Sequence, residues 1–151
     1  MNLRDKLEVG KYNLLGNFYL KGGDITTAAK YFERSLEINP DDEKAHYNLG
    51  CCYLSLKRIK YAEKEFRNVL KLNLGNDLAW MRLGNIYMLD IPERKEEGIW
   101  YDEIGKRINE LNEVCKNPLK MQIEEIIEKY SNSIGIFYVE FDENKNISFA
   151  D

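Results

Sequence analysis

A metal centre or a catalytic nucleophile would have to be assembled here from one histidine, His46, and three cysteines, Cys51, Cys52 and Cys115. A single histidine excludes His-based triads and multi-His metal sites. The four side chains together could in number satisfy zinc, but neither the adjacent Cys51-Cys52 pair nor the helical spacing matches a zinc-ligand pattern. The carboxylate pairs Glu96-Glu97 and Glu124-Glu125 are expected on polar helix faces, where such runs are solvated. Gly22-Gly23 lacks the downstream Gly-Lys-Ser/Thr of a phosphate-binding loop. Nothing nominates a nucleophile or a base, so the expectation is a protein that is not an enzyme, with no metal and no cofactor.

Charge and hydropathy narrow the partners. The 22 basic and 26 acidic residues give a mildly acidic chain with no basic stripe to release counterions from nucleic acid. No apolar run approaches the roughly 18 residues of a spanning helix. The start, Met1-Asn2-Leu3-Arg4-Asp5-Lys6-Leu7-Glu8, is too charged for a signal peptide. With an odd number of cysteines, this predicts a reducing, cytoplasmic setting. The expected partner is another protein or peptide, with no nucleic acid and no membrane.

The elements that position such a partner are repeats. Leu15-Gly16-x-x-Tyr19, Leu49-Gly50-x-x-Tyr53 and Leu83-Gly84-x-x-Tyr87 recur every 34 residues, the period of a helix-turn-helix unit. Tyr12, His46 and Trp80 hold an anchor position three residues before each Leu, and Ala28 with Ala62 and Phe32 with Phe66 keep the same register. The small Gly and Ala let paired helices approach, while the Tyr and Phe rings fill the space between them. His46, at an anchor position, is expected to be packed rather than catalytic.

This pattern of Trp, Leu-Gly, Tyr, Ala, Phe and a closing Pro resembles the tetratricopeptide repeat family at Tyr12, Leu15, Gly16, Tyr19, Ala28, Phe32 and Pro40. It does so again at His46, Leu49, Gly50, Tyr53, Ala62 and Phe66, with Leu74 in place of the Pro. The resemblance implies an all-α fold, a right-handed α-solenoid over residues 1–116. Two regular units, 9–42 and 43–76, precede a degenerate third, 77–116, and 117–151 supply a capping helix and a short β-hairpin.

Element limits follow from caps and breakers. Helices are predicted over Leu3 to Lys21 and Ile25 to Ile38, divided by Gly22-Gly23-Asp24, with Asn39-Pro40 ending the second. The second unit's turn near Leu56-Lys57-Arg58 lacks those glycines. In the third unit a helix from Asp77 to Leu89 is expected, then a capping box at Asp90-Ile91-Pro92-Glu93, with Glu96 standing where the family has a small residue. Trp100, Ile104, Ile108, Leu111 and Cys115 form the apolar stripe of a long helix, and Asn117-Pro118 is read as the cap of the next. Ile134 to Phe141 reads as a strand, followed by a turn and a return strand over Ile147 to Ala150. Both faces of that first strand are apolar, so it must be covered by the cap helices, by a second copy through residues 134–150, or by a different protein. A chain that stops so soon after a strand is read as the possible front part of a longer protein.

First helices of this family line a concave surface. Helical geometry, together with the resemblance, places Asn13, Asn17 and Leu20 there from the first unit, Tyr47, Cys51 and Leu54 from the second, and Met81, Asn85 and Met88 from the third. Asn48 and Arg82 join them by a second resemblance. One branch of the family holds an acidic C-terminal tail with two Asn, two Lys and one Arg, and this sequence is similar at Asn17, Asn48 and Arg82. Asn13 and Leu78 stand where the lysines belong, which removes two of three positive charges, so binding of peptide backbone is the implied role. The functional expectation is a scaffold or adaptor that binds a peptide segment of a partner protein. The alternative is an assembly module docking through the C-terminal hairpin.

Overall fold

The computed structural model describes residues 1–150. Among them are seven α-helices, α1 (Leu3–Lys21), α2 (Ile25–Ile38), α3 (Glu43–Ser55), α4 (Ile59–Leu72), α5 (Asp77–Asn85), α6 (Lys95–Val114) and α7 (Lys120–Ile134), followed by β1 (Val139–Phe141) and β2 (Ile147–Phe149). The chain divides into two compact units, Met1–Leu72 and Asn73–Asp151.

In the first unit, side-chain caps set the helix starts. Asn2, Asp24 and Asp42 accept the backbone N–H three residues on, at 2.8, 3.1 and 3.1 Å. Each such cap stabilises its helix by about 1 kcal/mol. The turn inside the first hairpin puts Gly23 at φ 84°, and the same turn 34 residues later puts Lys57 at φ 60°. The hydrogen bonds match as well. Gly23 and Asp24 N–H donate to Leu20 and Tyr19 carbonyls, while Lys57 and Arg58 donate to Leu54 and Tyr53. The missing glycine is therefore replaced by a lysine held in the left-handed region.

α1 pairs with α2, α2 with α3, and α3 with α4. Phe32 and Phe66 are wholly buried, as are Ala28 and Ala62. A Cβ on Gly16 would stand 2.7 Å from the Phe32 ring, and one on Gly50 would stand 2.9 Å from the Phe66 ring. The atom a larger residue would strike first is thus an aromatic carbon rather than the facing alanine.

The second unit departs from the repeat in several places. α5 is capped by Asn76, whose Oδ1 accepts from Ala79 N–H at 3.0 Å, but it ends at Asn85 and not at Leu89. Ile86–Asp90 forms a π-helical turn, with Ile91 N–H reaching the Ile86 carbonyl at 3.1 Å. Pro92, lacking an N–H, then opens a single 3₁₀ turn, Pro92–Arg94, and α6 starts at Lys95. No side chain caps either start, so the expected box at Asp90 does not form. The small residue is Gly98 rather than anything at position 96. Its own Cβ would lie 2.7 Å from the Gly84 carbonyl, and a Cβ on Gly84 would lie 2.9 Å from the Gly98 carbonyl. Two more residues separate Gly84 from Gly98 than separate Gly16 from Ala28, and the π turn and Pro92 segment take up the excess.

α6 buries Trp100, Ile104 and Ile108 as its stripe predicts, together with Tyr101. Leu111 is half-buried, and Cys115 lies just past the helix end. Trp80, Tyr87 and Trp100 surround Tyr101 with ring centroids 5.6, 5.2 and 5.1 Å away. The indole of Trp80 donates to the Leu74 carbonyl at 2.8 Å and that of Trp100 to Ser131 Oγ at 3.3 Å. The second bond ties α6 to α7. α7 itself begins two residues beyond Pro118, so Asn117-Pro118 is not its cap, and Gln122 instead folds back to accept from Leu119 N–H at 2.8 Å.

The predicted strand over Ile134 to Phe141 is mostly not a strand. Ile134 is the last residue of α7, and Gly135, at φ 72°, closes the helix by donating to the Ser131 carbonyl at 2.8 Å. Only Val139–Phe141 pairs, antiparallel with Ile147–Phe149 in the register Val139↔Phe149 and Phe141↔Ile147. The turn is held by Asp142, whose Oδ1 accepts from Asn144 and Asn146 N–H, each at 2.8 Å. Val139 and Ile147 are buried within the unit, Tyr138 meets Trp100 edge-on at 5.5 Å, and Lys145 pairs with Glu124 at 3.7 Å. One face of the hairpin therefore rests on α6 and α7, while Ile136 and Phe137 stay exposed.

Candidate functional site

The first unit carries seven of the sequence-predicted binding residues, on α1 and α3. Asn17 is exposed, and Asn13, Leu20, Tyr47, Asn48, Cys51 and Leu54 are half-buried. The structure brings Asn17 and Asn48 together, with Asn48 Nδ2 donating to Asn17 Oδ1 at 3.4 Å. Asn17 Nδ2 and Asn48 Oδ1 make no other hydrogen bond among the described residues. The two amides thus present one donor group and one acceptor group side by side, the complement of a peptide unit.

Asn13 is arranged differently. Its Nδ2 donates to Asp42 Oδ2 at 2.8 Å, and Asp42 Oδ1 is the cap of α3, so this amide ties α1 to the start of α3. Its Oδ1 is buried without a partner. Tyr47 packs edge-on against Phe66 at 5.6 Å, which leaves only part of its ring toward solvent.

The second unit carries Met81, Arg82, Asn85 and Met88 on α5 and the π turn that follows. Arg82 and Asn85 are exposed, whereas both methionines are half-buried. Gly105 and Gly98 make room for them, since a Cβ on either glycine would stand 2.7 Å from the Met81 or Met88 Cγ. Leu78, at the position of a missing lysine, is an exposed apolar side chain.

Three side chains capable of chemistry are held by their surroundings. Cys52 is wholly buried, and burial, then the neighbouring Cys51, pushes its thiol up to about 11. Such a thiol stays protonated and inert near neutrality. Tyr53 donates to Glu33 Oε1 at 2.7 Å, and burial together with that bond raises its pKa. His46 is packed, with Nδ1 2.6 Å from Glu65 Oε2 and Nε2 2.7 Å from the Pro40 carbonyl. Glu97, expected on a solvated face, is instead buried and gripped by Arg94 through two contacts of 2.6 Å. The signal for it was the Arg three residues earlier, a spacing that juxtaposes side chains on a helix. Among the described residues no helix is long and apolar enough to cross a membrane.

Comparison with known proteins agrees with this architecture. A family model described as tetratricopeptide repeat matches residues 19–86. The uncharacterized protein ycf37 of Pyropia yezoensis is 40% identical over 68 residues, 45% of this chain and 38% of that protein. A TPR repeat-containing protein of Borreliella burgdorferi is 26% identical over 105 residues, 62% of this chain and 46% of its own length. The chain thus spans less than half the length of these curated relatives. Among solved structures, MamA superposes with a TM-score of 0.64 at 19% identity, covering 69% of this chain and 60% of that one. The TPR2B-domain:pHsp70 complex of yeast Sti1 gives 0.65 at 14% identity, covering 84% and 98%. At those identities the structures speak for the fold. A 34-residue register of Leu-Gly-Tyr, paired helices closed over Gly16 and Gly50, and the match of the family model over the same stretch show that residues 19–86 carry tetratricopeptide repeats.

Proposed function

We propose that the protein is a non-enzymatic adaptor, and that the α1 and α3 face of its first unit binds an extended segment of a partner protein. The carrying observation is the Asn17-Asn48 pair, whose free donor and acceptor lie side by side on the surface. An extended peptide offers alternating C=O and N–H groups with the same complement, and Leu20, Tyr47 and Leu54 provide apolar contact beside it. The helices that carry these residues are already packed, so little ordering entropy is lost on binding. An affinity around micromolar, about −8 kcal/mol, is expected of such a site. The neighbouring Sti1 structure is a complex with pHsp70, which lends the reading support at the level of fold.

The test uses peptides selected on the intact chain from an array of extended sequences. Joint replacement of Asn17 and Asn48 by Ala should weaken the selected peptide about tenfold or more with an unchanged melting temperature. An affinity that does not move rejects this face as the binding site.

A further inference from the structure

α1 differs from every other helix of its unit in being apolar on two opposite faces. Val9 and Gly16 are buried against the unit, yet Leu3, Leu7, Leu14 and Phe18 are 66–73% exposed. At 100° per residue these four, with Gly10 among them, fall in one narrow stripe directly opposite the packed face. The flank that carries Asn13 and Asn17 borders it, with Asn17 about 20° from Gly10 around the helix. Helices apolar on both sides are ordinarily covered on both sides. The next repeat has the equivalent positions covered: there Asn48 and Cys52 stand where α1 has Leu14 and Phe18, and Cys52 is wholly buried in α3, which packs against both α2 and α4.

The spacing along the stripe selects the occupant. A two-fold axis passing between Gly10 and Lys11 maps Leu3 onto Phe18 and Leu7 onto Leu14. A second α1 laid antiparallel across the first therefore meets its own pattern, large opposite large, with Gly10 at the crossing. A Cβ on Gly10 would meet nothing within 4 Å in the single chain, so no packing inside the unit requires a glycine there. Close approach of another backbone does. Antiparallel pairing brings like flanks together, which sets Lys11 of one copy beside Lys11 of the other at the axis, with Glu8 of each copy within a turn of both to offset the repulsion and Arg4 already 3.5 Å from Glu8. The opposite flank offers Lys6 against the amides of Asn13 and Asn17, with no like charges facing.

From this self-complementarity we propose that α1 is an isologous homodimer face, two copies crossing antiparallel at Gly10. The four side chains expose on the order of 500 Å² per copy, and the aliphatic stems of Arg4, Lys6 and Lys11 carry the contact toward the roughly 800 Å² per partner of a specific interface. An interface of that size predicts a reversible dimer with a dissociation constant in the micromolar range.

Sedimentation velocity on the intact chain from about 5 µM to about 500 µM tests it. The wild type should shift from the monomer to twice its mass. Leu7→Glu and Leu14→Glu should each remain monomeric throughout with an unchanged melting temperature, because both positions are exposed. Gly10→Ala should separate the two roles of the residue, raising the monomer's melting temperature while weakening the dimer at least tenfold. The register has its own readout. Leu7→Cys mixed with Leu14→Cys should form a disulfide-linked pair under mild oxidation, and Leu7→Cys alone should not. A wild type that stays monomeric to the highest concentration overturns the proposal. So does a dimer indifferent to Leu7→Glu, which would place the contact elsewhere, the hairpin included.

Discussion

His46 stands between two acceptors, its Nδ1 2.6 Å from Glu65 Oε2 and its Nε2 2.7 Å from the Pro40 carbonyl. A carbonyl cannot donate, and an ionised carboxylate cannot either, so both bonds are made only when the ring carries both protons. Burial, the largest single influence, works against that charge. The bond to Glu65, the bond to Pro40 and the charges of Glu65 and Asp42 outweigh it, and the pKa is raised above 6.5. A folded-state pKa above the unfolded one contributes stability that is complete below about pH 6.5 and is lost as pH rises through the folded value. The urea midpoint should therefore fall between about pH 6 and about pH 9. His46→Tyr, which restores the ring found at Tyr12, should flatten that slope. Since His46 is the one histidine in the sequence, an unaltered slope in the variant would refute the assignment.

Lys57 occupies the left-handed position that Gly23 fills in the preceding repeat, with φ values of 60° and 84°. A side chain there costs roughly 1–2 kcal/mol. Lys57→Gly should accordingly stabilise the protein by about 1 kcal/mol, read as a higher melting temperature, while Gly23→Lys should lose a similar amount.

Gly98→Ala should be among the most damaging single-methyl changes in the chain. The added carbon would lie 2.7 Å from the Gly84 carbonyl and 2.7 Å from Met88 N, both main-chain atoms. Separation of the two helices is the only relief, at about 1–3 kcal/mol. Gly10→Ala is the internal control, because it meets open space in the single chain.

Asn13 and Asn17 sit one turn apart on α1 and should separate in their effects. Asn13 holds Asp42 at 2.8 Å, so Asn13→Ala should lower stability by about 1 kcal/mol. Asn17→Ala should leave stability unchanged and act on peptide binding alone. Thermal melts of the two variants in parallel decide it.

Much of the fold could be read from the chain because the repeat writes the same instruction in several places. Asp24 announces its helix as a cap, and α1 and α2 lie where the breakers put them. Reading failed where a rule depended on distance in space. Ile134 and Ile136 are β-branched and read as strand, yet Gly135 in the left-handed region made a helix end the better solution. Glu96 was weighed as a small-residue site because the count from Gly84 assumed a regular turn, and the π turn moved that site to Gly98. For the candidate site, spacing placed Asn17 and a second family resemblance added Asn48, but only coordinates show the two amides in contact and Asn13 already engaged by Asp42. The buried Arg94-Glu97 pair was hidden by the habit of charged runs facing solvent.

The three hairpins also differ in how a mutation in them could be repaired. At Gly16 and Gly50 the opposing atoms belong to the Phe32 and Phe66 side chains, so a second-site change to a smaller residue can restore room for an enlarged glycine. At Gly84 the opposing atoms include Asp102 N and the Gly98 carbonyl, which no codon change can trim. Suppressor screens begun at Gly16 or Gly50 should return compensating alleles, and one begun at Gly84 should return only reversion.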